Sequence, residues 1–158
     1  MEIRISLAMQ QMALYDDDTL IRRYAISTAA LGAGEQTGSY QTPRGRHIIR
    51  AKIGAGLPCG AVFKARRPTG EIWTPALHAQ QPGRDWILSR ILWLSGCEVG
   101  CNRLGQVDTM RRYIYIHGTP DGEVMGVAAS HGCIRMRNHE VIELFGLVPV
   151  RTTVVIEA

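Results

Sequence analysis

Ile3, Ile5 and Leu7 alternate with polar residues over Glu2–Leu7, the period-two pattern of a strand with one buried face. Gln11–Tyr15 reads as its hairpin partner, and Leu20–Ser27, with apolar Ile21, Tyr24 and Ile26, as a third strand. The acidic run Asp16-Asp17-Asp18 between them is a turn signal. From Thr28 the alternation lapses into a long loop carrying Gly32, Gly34, Gly38, Pro43 and Gly45; loops of that length in a compact domain serve a binding surface or are disordered. His47–Ile53 and Ala61–Ala65 predict two further strands. Trp86–Leu94 is a nearly continuous apolar run that fits a buried strand or a short helix. Tyr113–Ile116 predicts a short strand leading into His117-Gly118-Thr119-Pro120. Asn138 reads as the N-cap of a helix over His139–Phe145, whose stripe is Val141, Ile142, Leu144 and Phe145 and which Gly146 and Pro149 stop. The β-branched run Thr152–Glu157 closes the chain as a strand. The sum is a mostly β fold with one or two short helices.

Length and composition narrow this further. The 158 residues fit a single domain over 1–158, with no internal repeat, low-complexity segment or linker. Hydrophobic residues at 46% and charged residues at 20% exclude general disorder. No apolar run approaches the roughly 18 residues of a membrane span, so no membrane insertion is expected. Met1–Asp18 carries internal charges and no small-residue cleavage site, which is unlike a secretory signal. The expectation is a cytoplasmic protein, the alternative being a periplasmic one if an export sequence is missing. The net charge of +4 is uneven: Gln36–Gly70 holds Arg44, Arg46, Arg50, Lys52, Lys64, Arg66 and Arg67 and no acidic residue. That stretch is either a solvated strand face with a basic loop or an attractor of an anionic partner. With no interleaved stacking aromatics and no helix-turn-helix or zinc-finger spacing, nucleic acid is not expected, and an acidic small substrate stays open. Cys59, Cys97, Cys101 and Cys133 form no CxxC pair, so neither a structural zinc site nor a disulfide framework is predicted.

The chemistry concentrates in Tyr113–Glu140, which contains His117-Gly118, His131-Gly132 and, directly after the second pair, Cys133. A thiol is an effective acyl-transfer nucleophile as its anion, and a nearby imidazole can take its proton and later return one to a leaving amine. Spacing alone does not choose between His117 and His131 as that base. Gly132 lets the backbone come close to a substrate, and a sharp turn over Ser130–Cys133 makes its amides converge as an oxyanion hole requires. Arg135 adds a cation that favours the thiolate. The bland alternatives are an inert core cysteine with hydrogen-bonded histidines, and a metal site built from His117, His131 and Cys133, with His139 as a further ligand.

SHGCIRM at Ser130–Met136, with His117-Gly118 upstream, resembles the active-site signature of the L,D-transpeptidase (YkuD) domain family. AISTA at Ala25–Ala29, TPRG at Thr42–Gly45, Gly126 between the two histidines, Asn138 and the closing VVIE extend the resemblance over nearly the whole chain. It implies a β-sandwich-like catalytic domain and a cysteine acyl-transfer enzyme of bacterial cell-wall metabolism that needs no cofactor or metal. Carried over by position, it implies Cys133 as nucleophile, His117 as base and then acid, and the Gly118 carbonyl as the group orienting that imidazole. It further implies the amides of His131, Gly132 and Cys133 as oxyanion hole and Ser130, His131 and Arg135 as substrate contacts. The implied partner is a peptidoglycan stem peptide or muropeptide, cleaved between the L-centre of a third-position diamino acid and terminal D-alanine. The thiol is also expected to be open to acylation by carbapenem-type β-lactams. Members without an export signal resemble cytoplasmic L,D-carboxypeptidases, so water is the expected acceptor of the thioester. The alternatives are an amine acceptor, which gives transpeptidation, and a non-catalytic peptidoglycan-binding module. The stretch between Thr69 and Met110, with Trp73, Trp86 and Trp93, reads as a lid or substrate wall, or else as core aromatics.

Overall fold

A computed structural model of residues 1–158 contains ten strands and two short helices. In chain order these are β1 (Glu2–Ser6), β2 (Gln11–Asp16), β3 (Thr19–Ala25), β4 (Gly45–Ile53), β5 (Ala61–Lys64), β6 (Arg67–Ile72), α1 (Pro75–Gln80), β7 (Ile87–Gly96), β8 (Tyr115–Gly118), β9 (Ile134–Met136), α2 (Asn138–Leu147) and β10 (Thr153–Glu157). The sheet runs β3-β2-β1-β10-β4-β7-β5-β6, with β8 also paired to β7 and β9 paired to β8. First and last strands lie side by side and parallel, Ile3 opposite Val154 and Ile5 opposite Ile156. The alternation in β1 is thereby explained: Ile3 and Ile5 are buried while Arg4 faces water.

Nineteen buried residues from β1, β2, β3, β4, β7, β8, β9, β10, α2 and their flanks form one cluster. For strands so far apart in the sheet order to share one interior, the sheet must wrap round it, and α2 plugs it with Val141, Leu144 and Phe145. This is the mostly β fold with two short helices that the pattern predicts, in the sandwich-like form that the resemblance implies. A smaller apolar cluster of Ala61, Phe63, Ile91 and Tyr115 lies apart from it, with Trp93 and Cys133 packed at its margin.

Several elements depart from the sequence expectation. Trp86–Leu94 resolves as the strand β7, which pairs with β4, β5 and β8 and is buried along most of its length; a strand covered on both faces loses its alternation. The stretch from Thr69 to Met110 therefore supplies a central strand. Trp86 is buried in the core with an edge on a small cavity, Trp93 is half-buried, and Trp73 stands on the wall of a larger groove. Asn138 is not the N-cap of α2. Arg137 occupies that place without a side-chain cap, and Asn138 is the first helical residue with its side chain buried. The helix also runs through Gly146 to Leu147 before Pro149 ends it.

Candidate active site

β8 and β9 are parallel, with Ile116 opposite Ile134 and His117 opposite Arg135. Parallel neighbours need a long crossover, and residues 119–133 are that crossover, so the fold brings the two His-Gly pairs to adjacent strand ends. Ile116, Ile134 and Met136 enter the main core, which turns Tyr115 and His117 of β8, Arg135 of β9 and Cys133 just before β9 to the other face. Cys133 and His117 are thus diagonal neighbours on one face. With strands ~4.8 Å apart and a rise of ~3.3 Å per residue, their backbones lie about 8 Å apart, a gap two inward-leaning side chains can close.

The thiol of Cys133 is half-buried. Its Sγ accepts the Tyr115 amide at 3.4 Å and donates to the Tyr113 carbonyl at 3.4 Å. Burial pushes the thiol up to about 12, and the Tyr115 amide, Arg135 and Arg112 only partly oppose that. His117 is buried. Its Nδ1 donates to the Gly118 carbonyl at 2.6 Å, which leaves Nε2 as the acceptor nitrogen. Burial lowers His117 below the usual histidine value, against the pull of that hydrogen bond and of Asp85. Burial thus pushes both groups toward their neutral forms.

Gly118 cannot be anything larger. A Cβ there would sit 2.6 Å from the Leu88 carbonyl and collide with Asn138 Oδ1. Asn138 is the support behind this corner. Its Nδ2 donates to the Thr119 carbonyl at 2.9 Å and to Asp121 Oδ1 at 3.1 Å, and its Oδ1 accepts from Ser89 Oγ at 2.6 Å. Asn138→Ala removes the acceptor of the buried Ser89 hydroxyl, which keeps only the Gly60 amide that it accepts, and leaves the Thr119 carbonyl without its donor, at a cost of about 1–3 kcal/mol. Thermal melting should show a Tm lower by about 2–4 °C for each kcal/mol lost.

The loop before Cys133 turns at Gly132, whose φ of 134° suits glycine alone. A Cβ there would also press on Ile114 and the Gln41 carbonyl. Ser130, expected among the substrate contacts, is buried, and its hydroxyl is engaged inside the loop: it donates to the Cys133 carbonyl at 2.6 Å and accepts the Gly132 amide at 3.2 Å. Of the three amides expected to form the oxyanion hole, that of Gly132 is therefore held by Ser130. Those of His131 and Cys133 are bonded to no loop or side-chain acceptor. Thr42, from the TPRG stretch, clamps the turn by donating to the Gly132 carbonyl at 2.9 Å. His131 is exposed, edge-on to Tyr40 at 6.2 Å, away from the buried His117. Arg135 is mostly buried, 3.7 Å from Asp85 and 3.8 Å from Glu123. No three His, Cys, Asp or Glu side chains gather as metal ligands.

A small cavity of about 200 Å³, lined among others by Arg84, Trp86, Thr119, His131 and Arg135, adjoins the site. It shares Pro120 and Glu123 with a groove of about 930 Å³ between Trp73 and His78 on one bank and Val124 and Val127 on the other. The Trp73 bank lies in the stretch that the sequence offered as a lid or substrate wall, whereas the two tyrosines holding the sulfur went unread. The start signal of α1 was nonetheless present, as Thr74 capping the Leu77 amide ahead of Pro75.

Residues 1–156 match the family model of the L,D-transpeptidase catalytic domain, YkuD. The candidate L,D-transpeptidase YkuD of Bacillus licheniformis is 28% identical over 153 residues, covering 96% of this chain and 62% of the relative. The candidate L,D-transpeptidase YbiS of Escherichia coli K12 is 32% identical over 125 residues, covering 73% of this chain and 40% of the relative. The chain thus spans less than two thirds of either. An L,D-transpeptidase structure from Mycobacterium smegmatis superposes over 99% of this chain and 58% of its own, with a TM-score of 0.62 at 16% identity, which speaks for the fold. Taken with the match over 1–156, this places the chain in the L,D-transpeptidase (YkuD) catalytic-domain family.

Proposed function

We propose that this protein is a cysteine acyl-transfer enzyme acting on peptidoglycan stem tetrapeptides, with Cys133 as nucleophile and His117 as base and then acid. The observation that carries this reading is the half-buried Cys133 thiol two residues along the β8–β9 register from a buried imidazole whose Nδ1 is fixed by the Gly118 carbonyl. The exposed position of His131 on the rim favours His117 as the base. Rotation about the Cys133 Cβ–Sγ bond moves the S–H from the Tyr113 carbonyl toward Nε2. Sulfur then attacks the carbonyl of the third stem residue as the proton passes to Nε2. The developing oxyanion meets the His131 and Cys133 amides, and the Gly132 amide through adjustment of the Ser130 hydroxyl. Collapse breaks the C–N bond, His117 returns the proton to the departing D-alanine amine, and a thioester remains. His131 and Arg135 border the small cavity on this side and contact the substrate, while Ser130 shapes the turn.

Water or an amine resolves the thioester. Four free cysteines, Cys59 and Cys101 exposed, suit a reducing compartment, and support hydrolysis of recycled soluble stems in the cytoplasm. The long groove beside the site favours the second reading, transfer to an amine-bearing peptide laid along it. Mass spectrometry of a tetrapeptide incubated with the protein, with and without a D-amino acid, tests both. Loss of D-alanine alone is expected without the acceptor, and an exchanged terminal residue with it marks transfer. No release under either condition overturns the proposal. Solved L,D-transpeptidases of this fold include one in complex with imipenem and one with a faropenem-derived adduct. They support acylation of Cys133 by such β-lactams.

A further inference from the structure

Most of the arginines near the site are already committed. Arg135 faces Asp85 and Glu123, Arg84 is paired with Glu71, and Arg112 donates to the Gly34 and Gln41 carbonyls and to Ser39 Oγ. Arg66 is different. It sits at the turn between β5 and β6, faces no carboxylate, and makes a single hydrogen bond, from Nη1 to the Tyr115 hydroxyl at 3.0 Å. Its guanidinium carbon lies 4.4 Å from the Tyr113 ring centre and 5.2 Å from that of Trp93. Arg50, also without an acidic partner, lies 5.9 Å from the same Trp93 ring.

Tyr113 and Tyr115 each touch both the cation and the sulfur. The Tyr113 carbonyl and the Tyr115 amide contact Sγ, while the Tyr113 ring and the Tyr115 hydroxyl contact Arg66. A guanidinium carries five N–H donors, and here one is used. Held against aromatic faces, the rest form a fork that a carboxylate meets with little further loss of side-chain freedom.

Direction follows from β8. Tyr113 and Tyr115 precede His117 along the chain, so Arg66 and His117 lie on opposite sides of the sulfur. In the proposed reaction, on which this inference rests, the leaving amine must lie at His117 to be protonated. The acyl half of the substrate therefore extends toward Arg66. We infer that Arg66, backed by Arg50, binds the side-chain carboxylate of the third stem residue and so selects a diamino dicarboxylic acid over lysine there.

Two tetrapeptides that differ only in that carboxylate, one with meso-diaminopimelate and one with L-lysine at the third position, provide the test. The parent protein should release D-alanine from the first with kcat/KM about 10–100-fold higher, mainly through KM, as expected for charge-assisted hydrogen bonds. Arg66→Gln should bring the ratio close to one, and Arg66→Lys should recover part of it. Equal rates on both peptides in the parent overturn the inference while leaving the acyl-transfer reading intact. Equal losses on both in Arg66→Gln also overturn it, because they mark a purely structural role through Tyr115. If neither peptide is turned over, the acyl-transfer reading fails. Calorimetric binding of both peptides to Cys133→Ala, with and without Arg66→Gln, then judges the carboxylate site by itself, with the same ratio expected in Kd and a ratio near one overturning it.

Discussion

Cys133→Ala is expected to abolish D-alanine release and to leave no covalent mass adduct with a carbapenem, while the protein folds as the parent does. Sulfur forms the only bond that carries the acyl group through the proposed reaction, so its removal deletes the covalent route and not one contribution among several. In hydrolases whose nucleophile and base act as a unit, losing the nucleophile removes nearly all that the unit supplies. The loss in kcat should be at least about 10⁴-fold, with only oxyanion stabilisation and substrate positioning left. The fold has little stake in the atom. Cys133 is half-buried at the margin of a small cluster and its two hydrogen bonds are long, so stability should change by no more than about 1 kcal/mol. Release of D-alanine at the parental rate by this variant, measured by mass spectrometry, would end the cysteine mechanism.

The parts of this site differ in how far they could be read from the chain. The strands of the fold were visible where one face is wet, as in β1 and β2, where Ile3, Ile5, Met12 and Leu14 are buried and their neighbours are not. β7 hid its type because both its faces are covered. β9 is three residues long, too short for any period, although it follows the cysteine directly. The β5–β6 turn escaped because its positive-φ residues are Ala65 and Arg66 in place of the usual glycine or asparagine. That turn is what delivers Arg66 to the sulfur's neighbours. Asn138 was legible as a polar residue at a helix start, but its use was not. Only the parallel pairing of β8 and β9 shows that it faces the Gly118–Thr119 backbone, where its amide has three partners. Of the seven basic residues over Gln36–Gly70, charge alone did not separate Arg44, bound to Glu35, from Arg66, which is bound to no acid.

His117→Ala is expected to lower kcat/KM by about 10²–10⁴-fold, the usual contribution of a positioned acid–base group, and His131→Ala by much less. The pH dependence follows from the protonation states. The base acts as neutral imidazole, and burial holds His117 below the ordinary 6.5. Protonation of the free enzyme therefore switches it off only below that pH, and the acidic limb of kcat/KM lies lower than an unperturbed histidine would give. The thiol, pushed up to about 12, adds no ionisation between the acidic limb and strongly alkaline pH. The parent profile should be a rise followed by a long plateau, and in His117→Ala the rise should be gone. Alkylation by iodoacetamide reads the sulfur directly. A half-buried neutral thiol should react slowly near pH 6 and about tenfold faster per pH unit through pH 10, because the reactive species is the thiolate. A preformed thiolate–imidazolium pair does the opposite, reacting quickly at pH 5–6 with a flat profile above. Fast alkylation there would show that opposite charges stabilise each other across the β8–β9 pair strongly enough to overcome burial. The attack would then begin from an ion pair and not from proton transfer coupled to bond formation.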